Sequence, residues 1–224
     1  MYEISKNLFF AESDSEVRAA WSFVHDRYVE QGIITPQKDG LFMHPESGIA
    51  STIVIVQKNA KDEICATCTL YVKGHKPCFS MFPEETIGLV HNNTDAENSV
   101  IEICQLAGTS VKYVLNLFRV IHRIGQIMCK DILAIVHPDH AGFYQKQFGF
   151  FKVAESDGVA LYGSKPDVPG QLLWLPHRNY AAYQKMMLKW DRKPLGINVL
   201  DIRHHGLRVF KWAEAQWFTR TNGR

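Results

Sequence analysis

Cysteine is scarce: five in 224 residues, at positions 65, 68, 78, 104 and 129. An odd count at irregular spacing builds no disulfide framework, so a reducing cytoplasm is the expected setting. Long apolar runs are missing too. The longest uninterrupted ones, Ile53–Val56 and Ile132–Val136, fall far short of the about 20 residues a membrane-spanning helix needs. The stretch 111–129 is apolar on balance, but Lys112, Arg119, His122 and Arg123 interrupt it. No charged-then-apolar leader opens the chain either, because Asn7-Leu8-Phe9-Phe10-Ala11 is too short for one. No glycine-rich phosphate fingerprint follows any strand pattern, which argues against a Rossmann or P-loop protein. Neither sign of charge dominates: 25 Lys and Arg face 23 Asp and Glu, for a net +2.

What is present suits a folded protein. A composition of 46% hydrophobic and 21% charged residues excludes disordered, collagenous and low-complexity classes. A chain of this length buries roughly 70% of its unfolded surface and needs no disulfide or metal staple. The charge is divided unevenly, residues 1–176 summing to −5 and residues 177–224 to +7. We therefore expect one domain over 1–176 and a basic, mostly helical extension over 177–224. Such a tail suits an anionic partner (an acidic protein, a phospholipid surface or nucleic acid), or it is a solvated basic helix.

Helix and strand patterns alternate along the domain. Lys6–Ala11 reads as a first short strand. Ser13-Asp14-Ser15-Glu16 is a capping box, followed by Val17, Trp21, Val24 and Tyr28 at helical spacing, so a helix is expected over 14–31, with loop over 33–50. Ser51–Gln57 and Glu63–Val72 form a hairpin pattern, and 74–98 is mostly irregular with a short helix near Glu84–Val90. Val100–Ala107 reads as a strand leading through Gly108-Thr109-Ser110 into a long helix, whose inward stripe would be Val111, Val114, Leu115, Phe118, Ile121, Ile124 and Met128. Ile132–Val136 has the continuous aliphatic character of a buried strand. A short helix is expected over Ala141–Phe148, starting near Asp139 or His140 and closed by Gly149. Phe150–Glu155 and Val159–Tyr162 flank the turn Asp157-Gly158; Gln171–Leu175 is a last strand, and helices are expected over 178–190 and 204–219. The result is a mixed α/β sheet with helices on both faces.

Few side chains in this pattern suggest chemistry. Cys65-Ala-Thr-Cys68 has CxxC form, but within a strand residues i and i+3 point to opposite faces and cannot share a metal. His137-Pro-Asp-His140 has no obvious third ligand, so no metal site is expected. Glu102 interrupts a strand that should be central, where a carboxylate needs a partner, a raised pKa or a water-filled cleft. Cys104 shares its face at i+2, yet no base for a thiol nucleophile is identifiable, so it reads as core filler. Tyr144 falls on the first turns of the helix after a buried strand, near the carboxyl end where open α/β sheets place their sites; a core aromatic is the alternative.

Phe143-Tyr144-Gln-Lys-Gln-Phe148-Gly149-Phe150 after a strand resembles the motif of GNAT-superfamily acyltransferases. More closely, the chain resembles the N-acyl amino acid synthases, relatives of acyl-homoserine-lactone synthases that make long-chain N-acyl amino acids. Phe23-Val-His-Asp-Arg27-Tyr28-Val-Glu-Gln-Gly32 is similar to that family's first helix, and Ala66-Thr67-Cys-Thr-Leu70 to its A-T-x-x-L strand. Ser80-Met81-Phe82-Pro83 matches the following segment more loosely. Glu102-Ile-Cys-Gln-Leu106-Ala107 resembles the E-x-x-x-L-A strand, His137-Pro-Asp-His140-Ala-Gly-Phe-Tyr144 the P-x-H-x-x-F-Y motif, and Pro169-Gly-Gln-Leu-Leu173 the final strand. The patterns keep their order over residues 14–176; the tail matches nothing.

The resemblance implies a GNAT-type, mostly antiparallel central sheet with helices on both faces, and transfer of a fatty acyl group from a pantetheine thioester to the amine of an amino acid. No cofactor would be bound permanently; the phosphopantetheine thioester is a co-substrate. Acyl-coenzyme A users in the superfamily carry a Q/R-x-x-G-x-G/A loop, whereas Ala107-Gly108-Thr-Ser-Val-Lys112 holds one glycine, so an acyl carrier protein is the implied donor and coenzyme A the alternative. Implied roles are Glu102 as base, Tyr144 as acid, backbone N–H groups near Leu106 and Ala107 for the oxyanion, Thr109, Ser110 and Lys112 for the phosphodiester, and Arg27, Gln105 and His140 for the acceptor. Many relatives have Arg where Gln105 stands. The basic tail would steer an acidic carrier protein or meet an anionic membrane surface, with no nucleic acid partner. Competing readings are a coenzyme A-dependent acetyltransferase on a small amine, a non-catalytic protein that binds acylated carrier protein, and an acyl-homoserine-lactone synthase.

Overall fold

In the computed structural model, which describes residues 1–42, 51–73, 100–128, 130–154 and 168–176, the chain opens with two short strands, β1 (Tyr2–Ser5) and β2 (Leu8–Phe10). They pair antiparallel, Tyr2 opposite Phe10. The sequence pattern alone gives one strand from Lys6; the turn instead falls at Lys6–Asn7, where Asn7 takes φ 63°, a region Asn tolerates better than most residues. Helix α1 (Asp14–Glu30) starts as expected: Ser13 Oγ accepts from the Glu16 N–H at 3.3 Å and the Glu16 carboxylate accepts from the Ser13 N–H at 3.1 Å. Strands β3 (Ser51–Lys58) and β4 (Ile64–Lys73) form the hairpin, and β5 (Val100–Gly108) lies antiparallel beside β4. Helix α2 (Val111–Met128) crosses over to β6 (Asp131–Val136), which runs parallel to β5. Helix α3 (Pro138–Phe148), β7 (Phe151–Ala154) and β8 (Gln171–Leu175) follow. The order across the eight-stranded sheet is β1-β2-β3-β4-β5-β6-β8-β7, antiparallel except for β5 and β6.

Strand alternation assigns the faces. On β4, Ala66, Cys68, Leu70 and Val72 join the cluster of Leu117, Phe118, Ile121 and Ile124 from α2. The other face meets α1, where Trp21 Nε1 donates to Thr69 Oγ1 at 3.1 Å. Phe118 stacks on Phe148 with ring centroids 3.8 Å apart, joining α2 to α3. The inward stripe of α2 includes Leu117 and Val120, which the expected stripe omits, while Val111 is 58% exposed. Of the apolar residues that open α2, only Val111 stands out in solvent; Tyr113, Val114 and Leu115 already pack against the main cluster. Helix α3 begins earlier than Ala141: His137 is its N-cap, with Nδ1 accepting the Asp139 N–H at 3.3 Å, and Pro138 opens it. Gly149 ends it at φ 72°, a left-handed cap that glycine adopts without strain. The regions 74–98 and 159–162 and the expected tail helices lie outside the described residues. Among the described residues no helix is long and apolar enough to cross a membrane.

Candidate active site

Two features of β5 make a cleft. First, β5 and β6 stay paired only from Val100 opposite Asp131 to Ile103 opposite Ala134; beyond this β5 runs on to Gly108 and β6 to Val136 without pairing, so the two strands part. Second, the β4–β5 ladder skips: Thr69 faces Cys104 and Thr67 faces Ala107, leaving Gln105 and Leu106 opposite the single residue Cys68. This is a β-bulge, and Gln105 takes φ 50° within it. A bulged residue leaves the ladder, so backbone groups otherwise committed to β4 become available to a ligand.

A cavity of about 520 Å³ fills the parting. Its β5 wall is Ile103–Gly108, its opposite wall Ala134–His137 with Asp139, His140 and Tyr144 of α3. Tyr28 and Phe42 close it from the α1 side, meeting edge to face at 5.1 Å, and the Tyr28 hydroxyl donates to the Leu106 carbonyl at 3.0 Å. The segment carrying Phe42 is tied to α1 by the Phe42 N–H to the Trp21 carbonyl and by the Gln37 N–H to His25 Nε2. Val114 reaches the cavity from α2. Residues from both faces of the sheet therefore meet in one space, which alternation in an unbroken sheet would forbid.

The expected site residues fall into three groups. Gln105, Leu106, Ala107, His140 and Tyr144 line the cavity. Thr109, Ser110 and Lys112 sit exposed at the start of α2, between the cavity-lining Gly108 and Val114; both the N–H and the hydroxyl of Thr109 donate to the Cys65 carbonyl. Gly108 permits this arrangement, because a Cβ there would lie 2.7 Å from Val114 Cγ2. Arg27 and Glu102 do not line the cavity. Arg27 pairs with Glu30 on the exposed end of α1. Glu102 is 1% exposed, and the Cys104 thiol donates to its Oε1 at 2.7 Å. Cys104 itself lines the cavity and is 6% exposed. The thiol read as core filler thus has a carboxylate beside it, and the spacing i, i+2 on a strand was the signal that puts both on one face. Phe42 escaped the sequence reading, and Tyr28 and His137 entered it only as a helical-stripe and motif residue and as a weak metal-ligand candidate, without a place in the site; all three line the cavity.

Electrostatics set the character of two groups. Tyr144 packs edge-on against Phe118 at 5.3 Å and Phe148 at 5.8 Å. Burial, and secondarily the neighbouring Cys68, push its phenol above the usual 10.0, so it remains a hydrogen-bond donor at neutral pH. Gln105 Nε2 donates to the Phe42 carbonyl at 2.6 Å, which fixes the amide's orientation, since a carbonyl can only accept. Its Oε1, on a side chain 4% exposed, has no hydrogen-bond partner among the described residues.

A mostly antiparallel sheet that opens between its one parallel pair, with a bulge on one wall and a helix N-terminus on the other, is a GNAT-type N-acyltransferase architecture. A putative N-acetyltransferase from Lactobacillus plantarum superimposes with TM-score 0.50 at 13% identity, over 75% of this chain and 95% of that one. The FeeM N-acyl amino acid synthase from uncultured soil microbes superimposes with TM-score 0.61 at 15% identity, over 79% and 93%. BjaI, a coenzyme A-dependent acyl-homoserine lactone synthase bound to MTA, does so with TM-score 0.54 at 11% identity, over 80% and 88%. No curated protein matches. The family model of N-acyl amino acid synthase FeeM matches residues 19–175, and the chain belongs to that family.

Proposed function

We propose that this N-acyltransferase moves a long-chain acyl group from an acyl carrier protein thioester to the amine of an amino acid. The observation that carries the reading is the bulge at Gln105–Leu106 in the cavity wall, across from Tyr144. A thioester carbonyl laid against the bulge would meet backbone N–H groups near Leu106 and Ala107 as the oxyanion forms. The amine adds to the carbonyl carbon, its proton is relayed through water to Glu102, which does not line the cavity itself, and the C–S bond breaks. The departing sulfur needs a donor, and Tyr144 supplies a hydrogen bond there; a phenol with a raised pKa stabilises a thiolate without surrendering its proton. Thr109, Ser110 and Lys112, at the amino end of α2, suit the phosphodiester of the pantetheine arm. Gln105 and His140 line the space left for the acceptor.

The single glycine in 107–112 favours a carrier protein over a nucleotide, which would need more backbone donors around a pyrophosphate. The test supplies dodecanoyl carrier protein and dodecanoyl-coenzyme A in parallel with the proteinogenic amino acids, following free thiol and N-acyl product by mass spectrometry. The expected result is product from the carrier protein at much the higher kcat/KM. Equal use of coenzyme A removes the carrier-protein assignment, and absence of any N-acyl amino acid removes the acceptor. Glu102→Gln should lower turnover by about 10²–10⁴-fold; unchanged turnover ends its role as base.

A further inference from the structure

At φ 50° Gln105 holds a left-handed conformation in which a side chain crowds its own backbone, and a residue other than glycine keeps it only where the surroundings hold it there. Two hydrogen bonds from one region do the holding. The Tyr28 hydroxyl donates to the Leu106 carbonyl at 3.0 Å, and Gln105 Nε2 donates to the Phe42 carbonyl at 2.6 Å. They secure the two residues that stand opposite the single Cys68, where the β4 ladder is irregular. Both anchors are themselves fixed. After α1 the chain turns at Gly32, φ 72°, and the Ile33 N–H returns to the Tyr28 carbonyl at 2.9 Å. Phe42 meets the Tyr28 ring edge to face at 5.1 Å, and its N–H donates to the Trp21 carbonyl at 3.4 Å. Val24, Ile34 and Phe42 share one buried cluster with Ala107, and Tyr28 packs against it, so the strand leaving the bulge rests on the same region.

Register on β4 therefore makes the bulge, and the end of α1 with the segment after it sets the bulge's shape. Resting on the reading of the bulge as the oxyanion wall of an amino acid N-acyltransferase, we propose that Tyr28 is a positioning residue for acyl transfer: its hydroxyl holds the Leu106 carbonyl so that the bulge N–H groups stand where the tetrahedral oxygen forms. An oxyanion donor works by being in place before the charge develops. A tilted peptide thus loses stabilisation of the transition state while the uncharged thioester binds nearly as before. Loss of the tether should appear in kcat and hardly in KM. Tyr28 also lines the cavity, so its phenol could instead touch a substrate directly; in that case removing the hydroxyl would leave the bulge amides as protected as before.

Tyr28→Phe keeps the ring against Phe42 and removes one oxygen. The full-length wild type and variant are compared by amide hydrogen exchange across residues 100–110, and by turnover of dodecanoyl carrier protein and dodecanoyl-coenzyme A with the proteinogenic amino acids. The variant's amides at 105–107 should exchange roughly 2–10-fold faster, the scale of one lost hydrogen bond. Its kcat should fall about 10-fold, short of the about 10²–10³-fold that deleting an oxyanion donor costs, with donor KM nearly unchanged and Tm close to wild type. Trp21→Phe gives up a bond from the same helix to β4 and should leave both kcat and the exchange at 105–107 as they were. Joining Tyr28→Phe to Gln105→Met should lower kcat by less than the product of the single effects, because both bonds hold one bulge. Unchanged exchange in Tyr28→Phe overturns the tether, and faster exchange with wild-type kcat overturns its part in transfer; either result leaves the proposed N-acyl transfer standing. A wild type that makes no N-acyl amino acid removes the acceptor instead, and the exchange measurement then decides alone whether Tyr28 holds the bulge.

Discussion

On the α2 side of the sheet, Ile53, Ile55, Leu70, Val72, Ile101, Ile103, Ile132 and Ala134 join a single apolar cluster with α2. On the α1 side the same strands present Thr52, Thr67, Thr69, Tyr71, Glu102 and Cys104, and the apolar contacts break into smaller groups. Strand periodicity makes such a division inexpensive, because each strand can serve an apolar face and a polar one at once. The α2 side mainly holds the fold and the α1 side carries the polar groups, while the cavity draws on both, Tyr144 from the α2-side cluster and Cys104 from the other, so a substitution away from the cavity should cost stability according to its side and one in the cavity wall should cost activity.

The largest stability loss should come from the apolar side. Phe118→Ala removes the ring stacked on Phe148 and should cost about 3–5 kcal/mol in urea unfolding. A pH effect belongs to the same cluster. His122 is buried beside Phe118 and Phe150, bonds the Phe118 carbonyl at 2.7 Å, and burial pushes its pKa from 6.5 down to about 3. A depressed pKa means the folded state resists a proton the unfolded chain accepts. The stability it confers is therefore complete above pH 6.5 and lost progressively as pH falls toward 3. His122→Leu should flatten that part of a stability–pH curve; an unchanged curve would remove His122 from the account.

Smaller effects sharpen the contrast at the cavity. Tyr144→Phe should raise the barrier by about 1.5–3 kcal/mol, the worth of a hydrogen bond to a charged group, with little change in Tm. If the phenol acts only as a donor, the wild type should also show no alkaline fall in rate assignable to Tyr144 below pH 10.0. Gly108→Ala drives a methyl into Val114 and should cost about 1–3 kcal/mol through overpacking, together with activity, because α2 must shift. Least of all, Trp21→Phe gives up the bond to Thr69 for about 0.5–1.5 kcal/mol on the α1 side, read as a small fall in denaturant midpoint.

Much of this was legible in the chain. The capping box at Ser13–Glu16, the alternation of β3 and β4 and the stop at Gly149 are local signals and appear where the residues place them. The motif strings also led to the right family, because they sample the strands that flank the cleft. What escaped depends on partners distant in sequence. The φ of Gln105 follows from how β5 registers on β4, more than thirty residues earlier, and no propensity of Gln announces it. The pairing of Arg27 with Glu30 rather than with the cavity is settled by which side of α1 faces the sheet. Period-two spacing already puts Glu102 and Cys104 on one face, but that the thiol donates to the carboxylate depends on side-chain rotamers and appears only in the structure.

The extra residue in β5 also shifts the strand's phase. Ahead of it the odd-numbered side chains Ile101 and Ile103 point toward α2; after it the even-numbered positions do, so that Gly108 faces Val114 while Ala107 packs with Val24 and Phe42. Deleting one residue there would restore a regular ladder with Ala107 still opposite Thr67 and Gly108 still opposite Ala66, each on its present face, and the loss would fall on the bulge itself and on the backbone groups it frees for the cavity. Length at this spot is thus as binding a constraint as chemistry, and natural variation should prefer replacing residues 105 and 106 to omitting either.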